Sequence, residues 1–264
     1  MNSVTDQYRR VFNSEHYLAA FERFRRLTMT ASAFWRGKFA DALRSFDGEL
    51  LTVVDVASGY GRFVPLFDKA FGSRRGRIFA IDSSPLMIHA LQRRFQGRND
   101  ITIVQTEAQT WTPPTSAHLT FISEALHLFA SPRQLFSRIK PYLAPGGTLM
   151  LRVSSHAQIS SIEWLEDFGL LNRDKCRTLD VPSLIQMLNE CGITDVSTHP
   201  VDESSWMPAA DYRRMLAARS FSILGSLSSE EMEVGLRKVD RRIAGQKRIW
   251  RSSLMTAVIA KVKP

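Results

Sequence analysis

The chain is poor in cysteine. Cys176 and Cys191 are the only two among 264 residues, too few for a disulfide framework or a thiolate metal site. A reducing, cytoplasmic setting is therefore expected. There is no run of about 18 apolar residues, so no membrane-spanning helix is expected. The opening residues, MNSVTDQYRRVF, contain no apolar segment, and no secretory leader is expected. His16, His89, His156 and His199 lack metal-ligand spacing, so no metal is expected. Internal repeats, low-complexity tracts and a basic tail are also missing.

What is present suits a globular protein. Hydrophobic residues make up 44% and charged residues 23%, and the net charge is +9. The length fits one large domain, or one domain with an insertion. Basic residues are dispersed along the chain, which reads first as a solvated surface. An anionic small substrate is the next reading, and nucleic acid is less favoured.

The most informative stretch is residues 50–64, LLTVVDVASGYGRFV. An apolar, β-branched run enters Asp55, two glycines follow, and a new apolar segment opens at Phe63. This pattern predicts a buried strand, a turn and a helix start. The glycines allow close approach of a ligand, and the helix start offers free N–H groups. A nucleoside-type cofactor is expected there.

Downstream, strand and helix alternate. Helices are expected at 63–71, 85–95, from Ser131-Pro132 to about 143, and at 181–191; strands are expected at 77–81, 101–105, 119–123, 148–153, 196–201 and 254–262. Pro145-Gly146-Gly147 reads as a turn, and residues 154–178 read as irregular with a short helix at 162–170. Residues 6–45 are helical by pattern: Tyr8, Val11 and Phe12 share one face, and Tyr17, Leu18, Phe21, Phe24 and Leu27 share another. Two helices precede the last strand, one from Pro208 to about Gly225 and one from Ser228 to Gly245, the second opened by a Ser228/Glu231 capping box. Together these predict an α/β fold: a Rossmann-like, seven-stranded, mostly parallel sheet with helices on both faces. Residues 1–48 form an N-terminal helical cover, 49–207 and 246–264 the cofactor-binding core, and 208–245 a helical lid.

The spacing Asp55-x-Ala57-x-Gly59-x-Gly61 departs from the G-x-G-x-x-G of dinucleotide sites. An acid at the strand end suits a ligand that carries positive charge. Asp82 closes the next strand, where a carboxylate can accept both ribose hydroxyls. The segments VVDVASGYGRF, IFAIDSSPLMI, ITIVQTEAQTW, HLTFISEALHLF and LAPGGTLML follow in order over residues 50–153. In this the chain resembles the class I S-adenosylmethionine-dependent methyltransferases, and its helical cover and lid are similar to small-molecule members of the ubiquinone-biosynthesis and trans-aconitate types.

The resemblance implies roles. Asp55, Ala57 and Gly59 would line the methionyl end of S-adenosylmethionine, and Gly61 would shape the turn. Asp82 would hold the ribose beside Ser83. Glu107 and Ala108 match the adenine site, and Ser123 would lie beside the sulfonium. Met87 and Trp111 suit either the adenine faces or the core. Three positions depart from the family pattern: Ala57 replaces the first glycine, which is tolerable with a negative φ; Glu107 carries a switched acid; and His118 stands where an acid is often found.

Catalytic candidates are His127, as a general base or a packing residue, and its neighbour Glu124. Tyr17, Trp35, His127 and Arg219 are candidates for acceptor binding. Arg219 is read on the apolar stripe of the first lid helix, either as a clamp on an anion or in a salt bridge. The expected activity is methyl transfer to an O or N atom of a small molecule, with an anionic secondary metabolite as one acceptor class and room for a homodimer. An RNA-modifying methyltransferase and a non-catalytic S-adenosylmethionine-binding partner protein are the alternatives.

Overall fold

The computed structural model describes residues 12, 14–46, 48 and 50–263. Tyr8 and Val11 of the first expected helical face lie outside them. The strands are β1 (Leu51–Val56), β2 (Gly76–Asp82), β3 (Ile101–Gln105), β4 (Ala117–Ser123), β5 (Leu143–Val153), β6 (Asp195–Asp202), β7 (Ser205–Pro208), β8 (Arg248–Arg251) and β9 (Leu254–Lys261). The helices are α1 (Glu15–Phe24), α2 (Met29–Leu43), α3 (Val64–Phe71), α4 (Pro85–Arg94), α5 (Pro132–Ile139), α6 (His156–Ser160), α7 (Glu163–Asp167), α8 (Leu171–Arg177), α9 (Val181–Glu190), α10 (Ala209–Ala217) and α11 (Ser229–Ile243).

Every residue of β1 is buried, as expected for a central strand covered on both faces. Seven strands form one sheet in the order β3-β2-β1-β4-β5-β9-β6. β1 to β5 pair in parallel, and β9 runs antiparallel between β5 and β6. The strand order reverses at β1 and β4, so a crevice opens beyond their carboxyl ends. The fold is the Rossmann-like sheet that the alternation of strands and helices predicts.

Apolar faces of the helices close both sides. On one side α2 and α3 bring Phe39, Phe63 and Phe67 around Phe121 of β4, with ring centroids 4.7 to 5.9 Å from it. On the other, Leu135, Phe136, Leu184 and Leu188 of α5 and α9 cover Leu149 and Leu151. Helices α7, α10 and α11 form a separate core of Trp164, Leu216, Met232 and Val239. The Ser228/Glu231 capping box forms at α11 with both bonds made.

Four local expectations change. Residues 154–178 are not irregular: they carry α6, α7 and α8, and α6 is held by a Ser155/Gln158 capping box. Residues 145–147 lie inside β5 as a register irregularity rather than a turn. The hairpin β7/β8 brackets α10 and α11 and was not expected; its strands have four residues each, too short for an alternation to register. Trp35 does not face a ligand. It is 0% exposed in the aromatic core, and its Nε1–H donates to Glu203 Oε1 at 2.9 Å.

That bond belongs to a buried network. Arg152 of β5 donates to both carboxylate oxygens of Glu203, at 2.8 and 2.6 Å. Burial opposes both charges, and Arg152 still holds the Glu203 carboxyl down to about 2. The pair ties α2, the middle of the sheet and the β6–β7 connection together. Glu203→Ala leaves a buried guanidinium unpaired and should destabilise the protein by about 3–5 kcal/mol in urea unfolding.

Candidate active site

The site is built on the turn that leaves β1. Ala57, Gly59 and Gly61 all take positive φ, at 52°, 56° and 75°. Ala57 thus sits in the left-handed region and not at the negative φ that would make it tolerable, at a cost of about 1 kcal/mol. Gly61 has no such freedom to vary: a Cβ there would lie 2.6 Å from Leu91 Cδ2 and from Phe95 Cε2. Asp82, at the end of β2, holds the turn. It accepts from the Gly59 N–H and from the Ser84 N–H, each at 2.9 Å. Helix α3 starts behind the turn with no side-chain cap on its first N–H groups.

A cavity of about 350 Å³ opens above the carboxyl ends of the strands. The structure brings most of the sequence-predicted residues to its wall. Asp55, Ala57, Gly59, Asp82, Ser83, Met87, Glu107 and Ala108 line one half, and Ser123, Glu124, His127 and Tyr17 line it as well. Gly61 lies in the turn, outside the lining residues.

Trp111 and Arg219 are corrections. Trp111 packs against Phe79 at 5.7 Å, away from the cavity lining. Arg219 lies beyond the end of α10, not on its stripe. It has φ 52°, and the Arg219 and Ser220 N–H groups close the helix onto the Leu216 and Met215 carbonyls, a Schellman ending that ordinarily carries glycine. Its guanidinium donates to the Leu224 and Leu227 carbonyls at 2.5 and 2.7 Å. It holds a loop together and does not line the cavity.

Other residues of the wall were missed. Arg25, Arg62, Arg152, Arg177 and Arg251 all reach it, with Phe21, Trp164 and Phe221. Two had a signal: Arg152 interrupts the apolar run TLMLRV, and Arg62 follows the glycine turn directly. A charge inside a buried strand needs a partner or a ligand.

The charges are strongly perturbed. Burial, reinforced by the charge of Asp82, pushes Asp55 up to about 8 against the pull of Arg62. Its Oδ2 is buried with no hydrogen-bond partner. Burial also raises Asp82, while N–H donors from Ser84, Gly59 and Ser83 oppose the shift. Glu124 is raised by burial despite Arg152 and Arg25, and its backbone is held at φ 52°. Burial, then Arg177 and Arg25, hold His127 well below the ordinary histidine range. Its Nε2 is another buried atom with no partner. This wall offers oxygen acceptors and a backbone cradle on one side, and a neutral imidazole on the other.

A nucleoside with a cationic tail fits the first half. Asp55 has an open acceptor oxygen for positive charge, Asp82 has lone pairs left after its two N–H contacts, and Met87 gives an apolar face. The comparisons with known proteins agree. Residues 53–147 match a family described as a methyltransferase domain. Over 117 residues the chain is 28% identical to the trans-aconitate 2-methyltransferase of an Acidovorax species, covering 44% of this chain and 43% of that protein. Over 103 residues it is 28% identical to the malonyl-[acyl-carrier protein] O-methyltransferase of a Paenibacillus species, covering 37% of each. The chain thus spans less than half the length of these curated relatives. Among solved structures, the plantazolicin methyltransferase BpumL, in complex with a pentazolic desmethylPZN analogue and SAH, superposes with a TM-score of 0.57 at 15% identity, over 98% of this chain and 100% of that one. A candidate methyltransferase from an antibiotic biosynthesis pathway of Anabaena variabilis gives a TM-score of 0.61 at 17% identity, over 84% of this chain and 96% of that one. At these identities the structural likeness is one of fold.

Asp55 should leave a signature in stability. Its folded value lies above its unfolded one, so its contribution is complete below about pH 4 and is lost as the pH rises to about 8. Asp55→Asn should therefore gain stability relative to the native protein across that window, by a few kcal/mol in total, and no further above it. Urea unfolding at several pH values measures this.

Proposed function

We propose, for a chain whose core is a class I S-adenosylmethionine-dependent methyltransferase domain, that it transfers a methyl group to an O or N atom of a small acceptor that carries negative charge. The observation that carries this reading is the mixed lining of one cavity: Asp55, Asp82 and the glycine turn, together with arginines and His127. The relatives named for trans-aconitate and for a malonyl thioester support an anionic acceptor.

S-adenosylmethionine supplies, when bound, an electrophilic methyl group on a positively charged sulfur. The chain's own tasks are binding, orientation and exclusion of water. Asp82 would accept the ribose hydroxyls, Met87 would pack on the adenine with Glu107 and the Ala108 N–H at its edge, and Asp55 with the Gly59 turn would receive the cationic end. Ser123 stands at the end of β4. His127, neutral at physiological pH because burial disfavours the imidazolium, accepts a hydrogen bond or a proton from the acceptor at Nε2. Glu124 stands beside it.

The segment 208–245 serves as a lid and α1 as a cover in this reading. Phe221, Ser222 and Ile223 reach the cavity from the first, and Tyr17 and Phe21 from the second. A phosphate-backbone substrate gains little support from the surface. Arg98 bonds to Asp68 and Asp100, Arg213 to Asp240, and Arg237 to Glu233. Among the described residues no helix is long and apolar enough to cross a membrane.

Two variants test the assignment. Asp82→Ala should weaken binding of S-adenosylhomocysteine by about tenfold or more in calorimetry, because it removes hydrogen bonds to a charged acceptor; native-like affinity would sink the cofactor assignment. His127→Ala should lower kcat by about 10²–10⁴ with cofactor affinity retained. An unchanged kcat would remove His127 from proton transfer.

A further inference from the structure

The acceptor half of the cavity holds more positive than negative charge. Two of its arginines have acids. Arg152 is bidentate on Glu203, and Arg177 donates to Asp174 at 2.5 Å. Arg25, Arg62 and Arg251 have no carboxylate partner among the described residues; their polar contacts are weak or neutral. Arg62 donates to the Arg25 carbonyl at 2.9 Å and to Ser123 Oγ at 3.3 Å. Arg251 donates to the Phe24 carbonyl at 3.2 Å, and its Nε is buried with no partner. Arg25 makes one long contact, 3.5 Å to the Ser220 carbonyl.

The Phe24 and Arg25 carbonyls stand at the carboxyl end of α1, where guanidinium groups are favoured. That accounts for Arg62 and for one arm of Arg251. It does not account for Arg25, or for the bare Nε of Arg251. Burial opposes the charge on all three, neighbouring arginines add repulsion at each, and Glu203 attracts each through space without touching it. Glu124 attracts Arg25 through space, and burial favours its neutral form. Half-buried cations in excess around one cavity are complementary to an anion from outside.

The geometry of Arg25 says which anion. Its guanidinium lies 4.5 Å from the Phe221 ring centroid and 5.4 Å from that of Phe21. The rings take no hydrogen bond from its fork of N–H donors, and such a fork matches a carboxylate or phosphate bidentately. Next to it the wall turns apolar. Trp164 packs on Phe221 at 4.6 Å, and Ile162 and Leu128 line the same cavity.

We propose that Arg25 and Arg251 form the anion subsite for the methyl acceptor, and that the acceptor is an amphipathic carboxylate whose apolar body lies along Phe221, Trp164 and Ile162. The inference rests on the methyl-transfer reading. Arg62, held on the Arg25 carbonyl, lines the same cavity and adds charge. The rival source of the same chemistry is the methionyl carboxylate of the methyl donor, and the test separates the two.

The probes are para-hydroxybenzoate, para-hydroxyphenylacetate and ω-hydroxyoctanoate, each with its uncharged carboxamide. They are titrated by equilibrium dialysis into full-length protein saturated with S-adenosylhomocysteine. At least one acid should bind about tenfold or more tightly than its amide, as a charge-assisted pair requires. That preference should vanish in Arg25→Gln and in Arg251→Gln, with S-adenosylhomocysteine affinity unchanged. Arg25→Gln removes a half-buried charge with no acid partner, so the free protein should be no less stable than native; Arg251→Lys, which keeps the charge, should retain part of the preference. The proposal is overturned if no acid is preferred over its amide, or if the preference survives in both Gln variants. It is also overturned if those variants lose S-adenosylhomocysteine affinity instead, which would give the arginines to the methionyl carboxylate. Failure of the native protein to bind S-adenosylhomocysteine would overturn the donor reading and this one with it; binding without an acid preference overturns this one alone.

Discussion

Ionisable groups set in one cavity without a partner are the constraint on which this molecule turns. Asp55 has an open carboxylate oxygen at the end of the central strand, and Arg25, Arg62 and Arg251 face the same cavity without acids of their own. Either group alone would be a liability in a folded protein. Together they describe one cavity lined both by carboxyl groups and by unpaired arginines, with Arg62 acting on Asp55 and on Ser123. A cationic methyl donor and an anionic acceptor are the complementary pair for such a cavity. Methyl transfer would take the positive charge off the sulfur, and water held out of the cavity would strengthen both contacts.

The paired charges do a different job. The Arg152–Glu203 bridge, with Trp35 as a third member, connects α2 to the middle of the sheet and to the β6–β7 connection. Each of these elements carries or neighbours a cavity residue: Arg25 precedes α2, Ser123 pairs with Arg152 across β4 and β5, and Arg251 lies across the hairpin from Ser205. The bridge therefore fixes where the unpaired arginines stand relative to the cofactor turn. The turn has its own brace in Asp82, whose two oxygens take the Gly59 and Ser84 N–H groups.

Much of the fold could be read in the sequence because its signals are local. An apolar run into Asp55 marks the central strand, Ser84-Pro85 and Ser131-Pro132 open helices, and Ser228 with Glu231 caps α11. The cofactor half was legible for the same reason, since its residues sit at the ends of consecutive strands. The arginine half was not. Its residues come from five separated segments and meet only through the strand order that inserts β9 between β5 and β6. Arg219 misled because a helical stripe was extended past Ala217, where the chain turns left-handed. Trp35 misled because an aromatic on a covering helix serves a core or a ligand equally well by pattern. Ala57 shows a backbone need for positive φ that the residue type conceals.

The central claim is that the unpaired Asp55 carboxyl receives a cationic methyl donor. Isothermal titration of S-adenosylmethionine into the free protein near pH 7, in buffers of different ionisation enthalpy, tests it directly. Asp55, raised to about 8 in the free protein, is mostly protonated there and should ionise when a cation arrives. The account predicts binding with release of close to one proton, and no such release in Asp55→Asn. Absence of binding, or binding by the native protein with no proton released, would contradict it.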